Sequence, residues 1–367
     1  MTNSIIFHIP KVIEADSAFG SKIRPYKLIS AFKSMGFETE VIAGTSISRK
    51  KKIQEVLNNI RKGKRYDFMY SESSNAPIPV SDSHHIPFAP LSDYHLFKEL
   101  KKNNITSGVY YRDIFWKFDV FSEKLSLPIR LLTLPLYKLD WMMYSKYMDY
   151  LFLPSQSMAK YLHTQWPENR ISILPPGCDI VDCESYEKLN NDKLTCFYVG
   201  GILPPVYDLK EMFEVFSALD EIQLVLCCRQ DEWQKMKAYY GNKCKNIKIV
   251  HENNQGIKKY YCNSDLFISA WGKDPYLEIA MPIKIFEALG YGVPVIITEG
   301  SEASRFVSDN NIGWTISNTT SLTDILIHLK NHKNEIDEKI EIVKQVRLHN
   351  TWVERAKQIT RTLSQSK

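Results

Sequence analysis

Lys284 and Glu287 lie three residues apart in the stretch Met281 to Thr298, MPIKIFEALGYGVPVIIT. On a helix that spacing puts both on one face. Two readings are open at this point. One is a surface ion pair worth roughly 0.2–0.5 kcal/mol. The other is a ligand platform, with the helix N-terminus and Lys284 facing a phosphate while Glu287 accepts hydrogen bonds from sugar hydroxyls. Arg112 and Asp113 follow the apolar run Gly108 to Tyr111. A carboxylate there could act as general base for a hydroxyl or support developing positive charge, or the pair could cap a helix. Adjacent Gly200 and Gly201 would let backbone approach a ligand closely or make a bulge. His84 and His85 stand in a proline-bearing loop, where an acid/base or metal role competes with that of ordinary loop histidines. No second cluster completes a metal site with them, so no metal ligands are assigned.

The elements that must position these groups are legible from periodicity. Pro282 fixes its own φ and has no N–H to lose, which suits the first turn of a helix. Ile285, Phe286 and Leu289 then recur at helical spacing. Gly290 and Gly292 sit where that helix should stop, and Val293 to Ile297 reads as a short buried strand. Nearer the start, Ser4 to His8 reads as a strand, Ile23 to Met35 as a helix closed by Gly36, and Glu38 to Ala43 as a second strand. This order opens a doubly wound sheet. The loop Asp16 to Ser21 contains Gly20 but not GxGxxG, so dinucleotide binding gains no support. Lys22 and Arg24 follow it as an anion site or as solvated charge. Arg49–Lys52 and Arg61–Arg65 flank a helix-like Ile53 to Ile60. Tyr66 to Tyr70 is a third strand leading into Ser71, Glu72, Ser73 and Ser74, either a functional polar cluster or a set of caps and turns. Leu125 to Tyr147 is rich in leucine and aromatics, with Arg130, Lys138 and Lys146 between them. Core packing with a membrane-facing edge is the expectation, the helix being interrupted at Pro128 and Pro135.

The chain has 367 residues, 44% of them hydrophobic and 24% charged. That suits a globular protein of two domains rather than a disordered one. No basic-then-apolar leader opens the sequence, and no run approaches the ~18 apolar residues of a membrane span. All seven cysteines fall between Cys178 and Cys262 without zinc spacing, Cys227 and Cys228 reading as buried thiols. A cytoplasmic setting is expected. Residues 1–150 hold 22 Lys and Arg against 15 Asp and Glu, and the remainder 25 against 27. A basic first half suits anionic lipid headgroups or phosphorylated acceptors, and no nucleic-acid motif accompanies the charge.

Pro282, Lys284 and Glu287 followed by Gly292-Val293-Pro294-Val295 resemble the nucleotide-sugar motif of GT-B glycosyltransferases, especially those like family 4. The resemblance implies an α/β fold of two Rossmann-like domains facing a cleft. These would be an acceptor-binding domain over 1–170, a nucleotide-sugar-binding domain over 171–350, and a helix over 351–367 that returns to the first. Ile171 to Asp179, ISILPPGCD, is similar to the family's linker, and Trp352, Arg355 and Ala356 are similar to its closing Trp-x-x-Arg-Ala. The resemblance places Glu287 on the donor ribose and Gly20, Gly201, Pro282, Ile283 and Lys284 around the donor phosphates. Where relatives carry Arg and Lys after the glycine turn, this chain reads ILPPVYDLKE, with no arginine and with Lys210 beyond reach. Arg229 at the end of strand Gln223 to Cys228 is the substitute cation. Counting back eight from Glu287 reaches Ile279, so the family's Glu-x7-Glu spacing is shifted and the acid is Glu278, with Asp274 nearby. Arg112 and Asp113 match the position of a functional His or Asp. The implied activity is hexosyl transfer from a UDP- or GDP-sugar to a glycan or polyprenyl-diphosphate-linked acceptor in bacterial surface polysaccharide assembly. It would be retaining and metal-independent, with no cofactor and with peripheral contact at the inner membrane face. A nucleotide-sugar epimerase and a non-catalytic partner subunit are the alternatives.

Overall fold

The computed structural model describes residues 3–13, 20–162, 166–183, 193–241, 245–253, 255–270, 272 and 274–364. The chain divides into two compact units, Met1–Pro175 with Trp352–Lys367, and Pro176–Thr351. In the first unit the strands are β1 (Ser4–His8), β2 (Glu38–Ile42), β3 (Phe68–Glu72), β4 (Ser107–Tyr110), β5 (Tyr150–Leu153) and β6 (Ile171–Ile173). Its helices before the crossover are α1 (Gly20–Ser34), α2 (Ser46–Arg61), α3 (Ser92–Lys102), α4 (Asp119–Lys124), α5 (Leu127–Tyr147) and α6 (Gln156–Lys160). The second unit carries β7 (Leu194–Val199), β8 (Ile222–Cys227), β9 (Ile247–Val250), β10 (Leu266–Ser269), β11 (Val295–Thr298) and β12 (Gly313–Ile316). Between them run α7 (Lys210–Ala218), α8 (Gln230–Tyr240), α9 (Lys258–Cys262), α10 (Pro275–Glu278), α11 (Ile283–Tyr291) and α12 (Glu302–Asp309), with α13 (Thr319–Asn331) and α14 (Lys333–Val346) after β12. Helix α15 (Trp352–Ser364) completes the first unit, burying Trp352, Ala356, Ile359 and Leu363.

Each unit is built on an all-parallel sheet, in the orders β2-β1-β3-β4-β5-β6 and β12-β11-β10-β7-β8-β9. Parallel strands need crossovers on both faces, so their residues are buried on both sides. Alternation along β8 shows it. Leu224 and Leu226 pack with Phe213, Phe216, Leu322 and Leu326 on one face, while Val225 and Cys227 pack with Ile285, Phe286, Leu289 and Val343 on the other. Two Rossmann-like units result.

Several local readings change. Helix α2 begins at Ser46, so Arg49 lies inside it rather than before it, and is fully buried. Ser71 and Glu72 are the last residues of β3, paired with Val109 and Tyr110, rather than the start of a loop. Helix α5 runs unbroken past Pro135, and buries only Tyr137, Asp140 and Tyr144. Leu127, Ile129, Leu131 and Leu132 are exposed by 46–68%, so its first half does not pack in the core. Among the described residues no helix is long and apolar enough to cross a membrane. Cys183 and Cys262 form a disulfide, while Cys178, Cys196, Cys227 and Cys228 are buried thiols outside it.

Gly292 caps α11 in the left-handed region with φ 79°, as its place in the sequence suggests. Gly290 has a different task. It lies inside α11, where an added Cβ would meet the Asp179 carbonyl oxygen at 2.2 Å and Cys178 Cβ at 3.1 Å. Helix and incoming chain touch backbone to backbone there. Gly290→Ala should therefore destabilise the second unit by about 1–3 kcal/mol through overpacking. Its melting transition, compared with that of the parent, checks this.

Candidate functional site

In the second sheet the chain leaves β7 toward β8 and β9, and leaves β10 toward β11 and β12. Neighbours β7 and β10 are thus the switch point of a doubly wound sheet, where a crevice opens outside the carboxyl ends of the strands. Gly200 and Gly201 follow β7, Cys228 and Arg229 follow β8, and Ser269 ends β10. Helix α11 starts at this same edge, because it runs back to feed a strand parallel to β10.

Pro282 is the N-cap of α11, with φ −66° and no side-chain cap, one position earlier than the first turn. The leading N–H groups of Ile283 and Lys284 therefore receive no side-chain acceptor from their N-cap residue, and they lie at the positive end of the helix. One turn in, Lys284 Nζ lies 2.7 Å from Glu287 Oε2, the two side chains being 17% and 20% exposed. Tyr261 donates its hydroxyl to the same Oε2 at 3.2 Å. Both contacts fall on one oxygen, which leaves Oε1 able to accept from a ligand. Tyr261 itself is fully buried, stacked on Tyr291 at 4.6 Å and edge-on to Phe197 at 4.8 Å. Burial and the nearby Glu287 carboxylate push its hydroxyl well above the usual range, so it donates. The Lys284 charge also reaches Cys227 at the end of β8, where it opposes the rise that burial imposes on that thiol. Lys284 and Glu287 are thus a held, half-buried pair at the switch point. Nothing in the local sequence singles out Tyr261, since its partner is 26 residues away.

The other second-unit candidates reach this edge differently. Gly200 donates its N–H to the Cys227 carbonyl at 3.1 Å. A Cβ on Gly200 would meet Tyr198 Oη at 2.9 Å, and one on Gly201 would meet the Tyr207 ring at 3.0 Å. The glycine pair lets two tyrosines close over the turn. Arg229 is the N-cap residue of α8, half exposed and ion-paired with the buried Glu232. Its guanidinium already serves a carboxylate. Asp274 caps α10 by accepting from Tyr276 N at 2.7 Å, and Glu278 ends that helix exposed. Ser269 Oγ is buried and takes no hydrogen bond among the described residues. His251 donates from Nδ1 to the Cys228 carbonyl at 2.9 Å, tying two strand ends together.

In the first unit the corresponding switch lies between β1 and β3. Gly20 is the first residue of α1, and Asp16 to Phe19 of its loop lie outside the described residues. Asp113 is half-buried after β4 and accepts from Phe115 N at 2.9 Å, which closes a turn. Arg24 is neither a solvated charge nor an anion site. It is 4% exposed, donates from Nε to Glu72 Oε1 at 2.9 Å and lies 3.8 Å above the Tyr110 ring. Arg112 reaches the other oxygen of Glu72 at 2.8 Å. A fully buried carboxylate must be paired, and these two cations pair it. The polar run after Tyr70 is therefore scaffold at Ser71 and Glu72. Behind it lies a second buried set. His8 Nε2 is 2.8 Å from Asp93 Oδ1, His8 Nδ1 is 2.8 Å from Ser71 Oγ, and Arg49 Nε donates to Asp93 at 2.8 Å. The order Ser–His–Asp is that of a hydrolase triad, yet all three are within 1% of complete burial. No substrate reaches them, and their work is structural. His84 and His85 are loop residues, His85 donating to the Val80 carbonyl at 2.9 Å.

Residues 193–332 match the family model of the group 1 glycosyl transferases. No curated protein matches the chain. Among solved structures, HepE of Anabaena in complex with UDP is 13% identical, with a TM-score of 0.62, covering 99% of this chain and 100% of that one. Sucrose-phosphate synthase from Thermosynechococcus elongatus is 12% identical with a TM-score of 0.62, covering 99% and 98%. WaaG, a glycosyltransferase involved in lipopolysaccharide biosynthesis, is 14% identical with a TM-score of 0.59, covering 98% and 99%. The fold is that of GT-B glycosyltransferases, and the match over the second unit supports glycosyl transfer in general.

Proposed function

We propose that this chain transfers a hexosyl group from a UDP- or GDP-sugar to a hydroxyl of a glycan or lipid-linked glycan acceptor, in bacterial surface polysaccharide synthesis. The observation that carries the reading is Glu287. It is held on one oxygen by Lys284 and Tyr261 and offers the other at the switch point of the second sheet. A fixed acceptor beside the positive end of a helix suits a ribose hydroxyl next to a diphosphate. As the glycosidic bond breaks, negative charge grows on the leaving diphosphate. The leading N–H groups at Ile283 and Lys284, the Lys284 ammonium and, once released from Glu232, Arg229 would meet that charge. The sequence holds no Asp-x-Asp, which favours a metal-independent mechanism. Retention of configuration is what the family resemblance suggests, with Glu278, one position off the family's spacing, as the acid and Asp113 as the base or electrostatic partner. HepE, seen with UDP, supports UDP as the nucleotide to try first.

The exposed Leu127, Ile129, Leu131 and Leu132, with Arg130 among them, suit peripheral contact with an anionic lipid surface bearing the acceptor. One observation favours a second reading, a nucleotide-binding subunit without turnover. Asp274 is committed to a cap, and Glu278 is exposed one position off the family's spacing.

Thermal stabilisation by UDP, GDP, CMP and dTDP tests the platform, since a ligand of the folded state stabilises it by mass action. One nucleoside diphosphate should raise the melting temperature, and Glu287→Ala should weaken its binding about 10- to 100-fold, the scale of a lost charge-assisted hydrogen bond. Equal affinity in parent and variant would remove Glu287 from the site. Binding without sugar transfer to any hydroxyl acceptor would select the non-catalytic reading.

A further inference from the structure

Helices α13 and α14 meet at His332, which ends the first and precedes the second. One turn back, His328 stacks its ring on that of His332, with centroids 4.2 Å apart and 19° between planes. Glu335 comes from the first turn of α14 and sets its Oε1 2.8 Å from His328 Nε2. One donor atom from each of the three lies within 4.8 Å of the others.

The tautomer of His332 follows from its own contact. Its Nδ1 lies 2.9 Å from the His328 carbonyl oxygen. A carbonyl only accepts, so Nδ1 carries the proton and Nε2 keeps the lone pair. An imidazole that donates one N–H to a backbone carbonyl and turns its other nitrogen outward is the form in which proteins orient metal-binding histidines. Two imidazoles and a carboxylate, with further positions left to water, form the donor set of open zinc sites. The set suits nickel and copper as well, whereas magnesium and calcium prefer oxygen alone. Drawing the donors to about 3.3 Å of one another satisfies metal–ligand bonds of about 2.0–2.2 Å. His328 and Glu335 are 44% and 38% exposed, so their side chains can turn to meet it.

We propose that His328, His332 and Glu335 bind a transition-metal dication of the zinc type and so clip the end of α13 to the start of α14. The site is separate from the donor platform and does not depend on that reading. Further along α14, Val343 packs in one cluster with Ile285, Phe286 and Leu289 of α11. The clip therefore anchors the helix that backs the platform.

Titrating the untagged full chain with Zn²⁺ against a chelating dye tests it, with Ni²⁺ and Mg²⁺ in parallel. One equivalent of Zn²⁺ should bind saturably, Ni²⁺ should compete, and a hundredfold excess of Mg²⁺ should not. Glu335→Gln and His328→Ala should each weaken the zinc affinity at least tenfold. The metal-free melting curves of both variants, matched to the parent, show that they fold. Added Zn²⁺ should raise the melting temperature of the parent and not of the variants. Zinc bound equally well by both variants would place the metal elsewhere, for instance on a cysteine, and overturn the proposal. So would the absence of saturable binding up to 1 mM.

Discussion

Asp93→Ala is expected to destabilise the first unit by about 3–5 kcal/mol, the cost of breaking a buried ion pair by removing one partner. Asp93 is fully buried between His8 Nε2 and the Arg49 guanidinium, which it accepts through both oxygens at 2.8 and 3.2 Å. The truncation strands the Arg49 charge, with the Gly44 carbonyl, Ser81 and the more distant Asp82 as its remaining partners. It also leaves His8 without its acceptor. Burial alone would raise the Asp93 carboxyl, but His8 and Arg49 outweigh it and hold the group at about 2, below its ordinary 3.8. A carboxyl lowered by folding stabilises the native state fully above pH 3.8, and that contribution is lost as pH falls toward 2. His8 adds a loss in the same direction. Burial holds its imidazole below the ordinary 6.5, so acid must charge a buried ring. Hydrogen exchange of the β1 and β3 amides, followed from pH 7 to pH 3, reads this unit by itself. Exchange in the variant equal to the parent at pH 7 would mean that Arg49 finds another anion at no cost.

Reducing the disulfide between Cys183 and Cys262 should lower the stability of the second unit by a comparable amount. The bond joins residues 79 apart and encloses β7, β8 and β9 with their helices. Closing a loop of that length in the unfolded chain is worth about 4.5 kcal/mol in the chain-entropy relation. Its position adds a functional readout, because Cys262 follows Tyr261, the residue that holds Glu287. Cys183→Ser with Cys262→Ser, and the parent under a reductant, should show the same lowered denaturation midpoint and the same weaker affinity for the nucleoside diphosphate. An unchanged midpoint after complete reduction, verified by thiol count, would refute the stabilising role. Such bonds persist in oxidising compartments, and most cytosols keep thiols reduced. The disulfide thus pulls against the cytoplasmic setting that the cysteine pattern suggests.

What could be read in advance was local. β1 over Ser4–His8 and the helix-then-strand around Gly292 follow from periodicity and one left-handed residue. Lys284 and Glu287 were visible as a pair because three residues separate them. Arg24, by contrast, was visible only as a charge. Its partner Glu72 is 48 residues on, and no local pattern joins them. Arg49 looked like part of a basic flank because Lys50, Lys51 and Lys52 follow it, yet helical rotation turns it alone to Asp93. Gly290 and Gly292 share a composition signal, and only the approach of Asp179 distinguishes a packing glycine from a capping one. Helix α5 misled for a related reason. Leucine content marks an apolar surface without saying what covers it.

The first unit is made from both ends of the chain. Helix α15 packs on α1 and β3, and Arg24 of α1 lies 6.0 Å from the ring of Trp352. Everything from Pro176 to Thr351 is synthesised between those partners. On the ribosome the later-made unit can therefore close its sheet while the earlier one still waits for its last helix. A nascent chain stalled shortly before Trp352 would expose the apolar surface that Ile359 and Leu363 cover in the finished protein. Chaperones that recognise apolar segments would find it from the emergence of residues up to Pro175 until α15 follows, an interval that spans synthesis of the whole second unit.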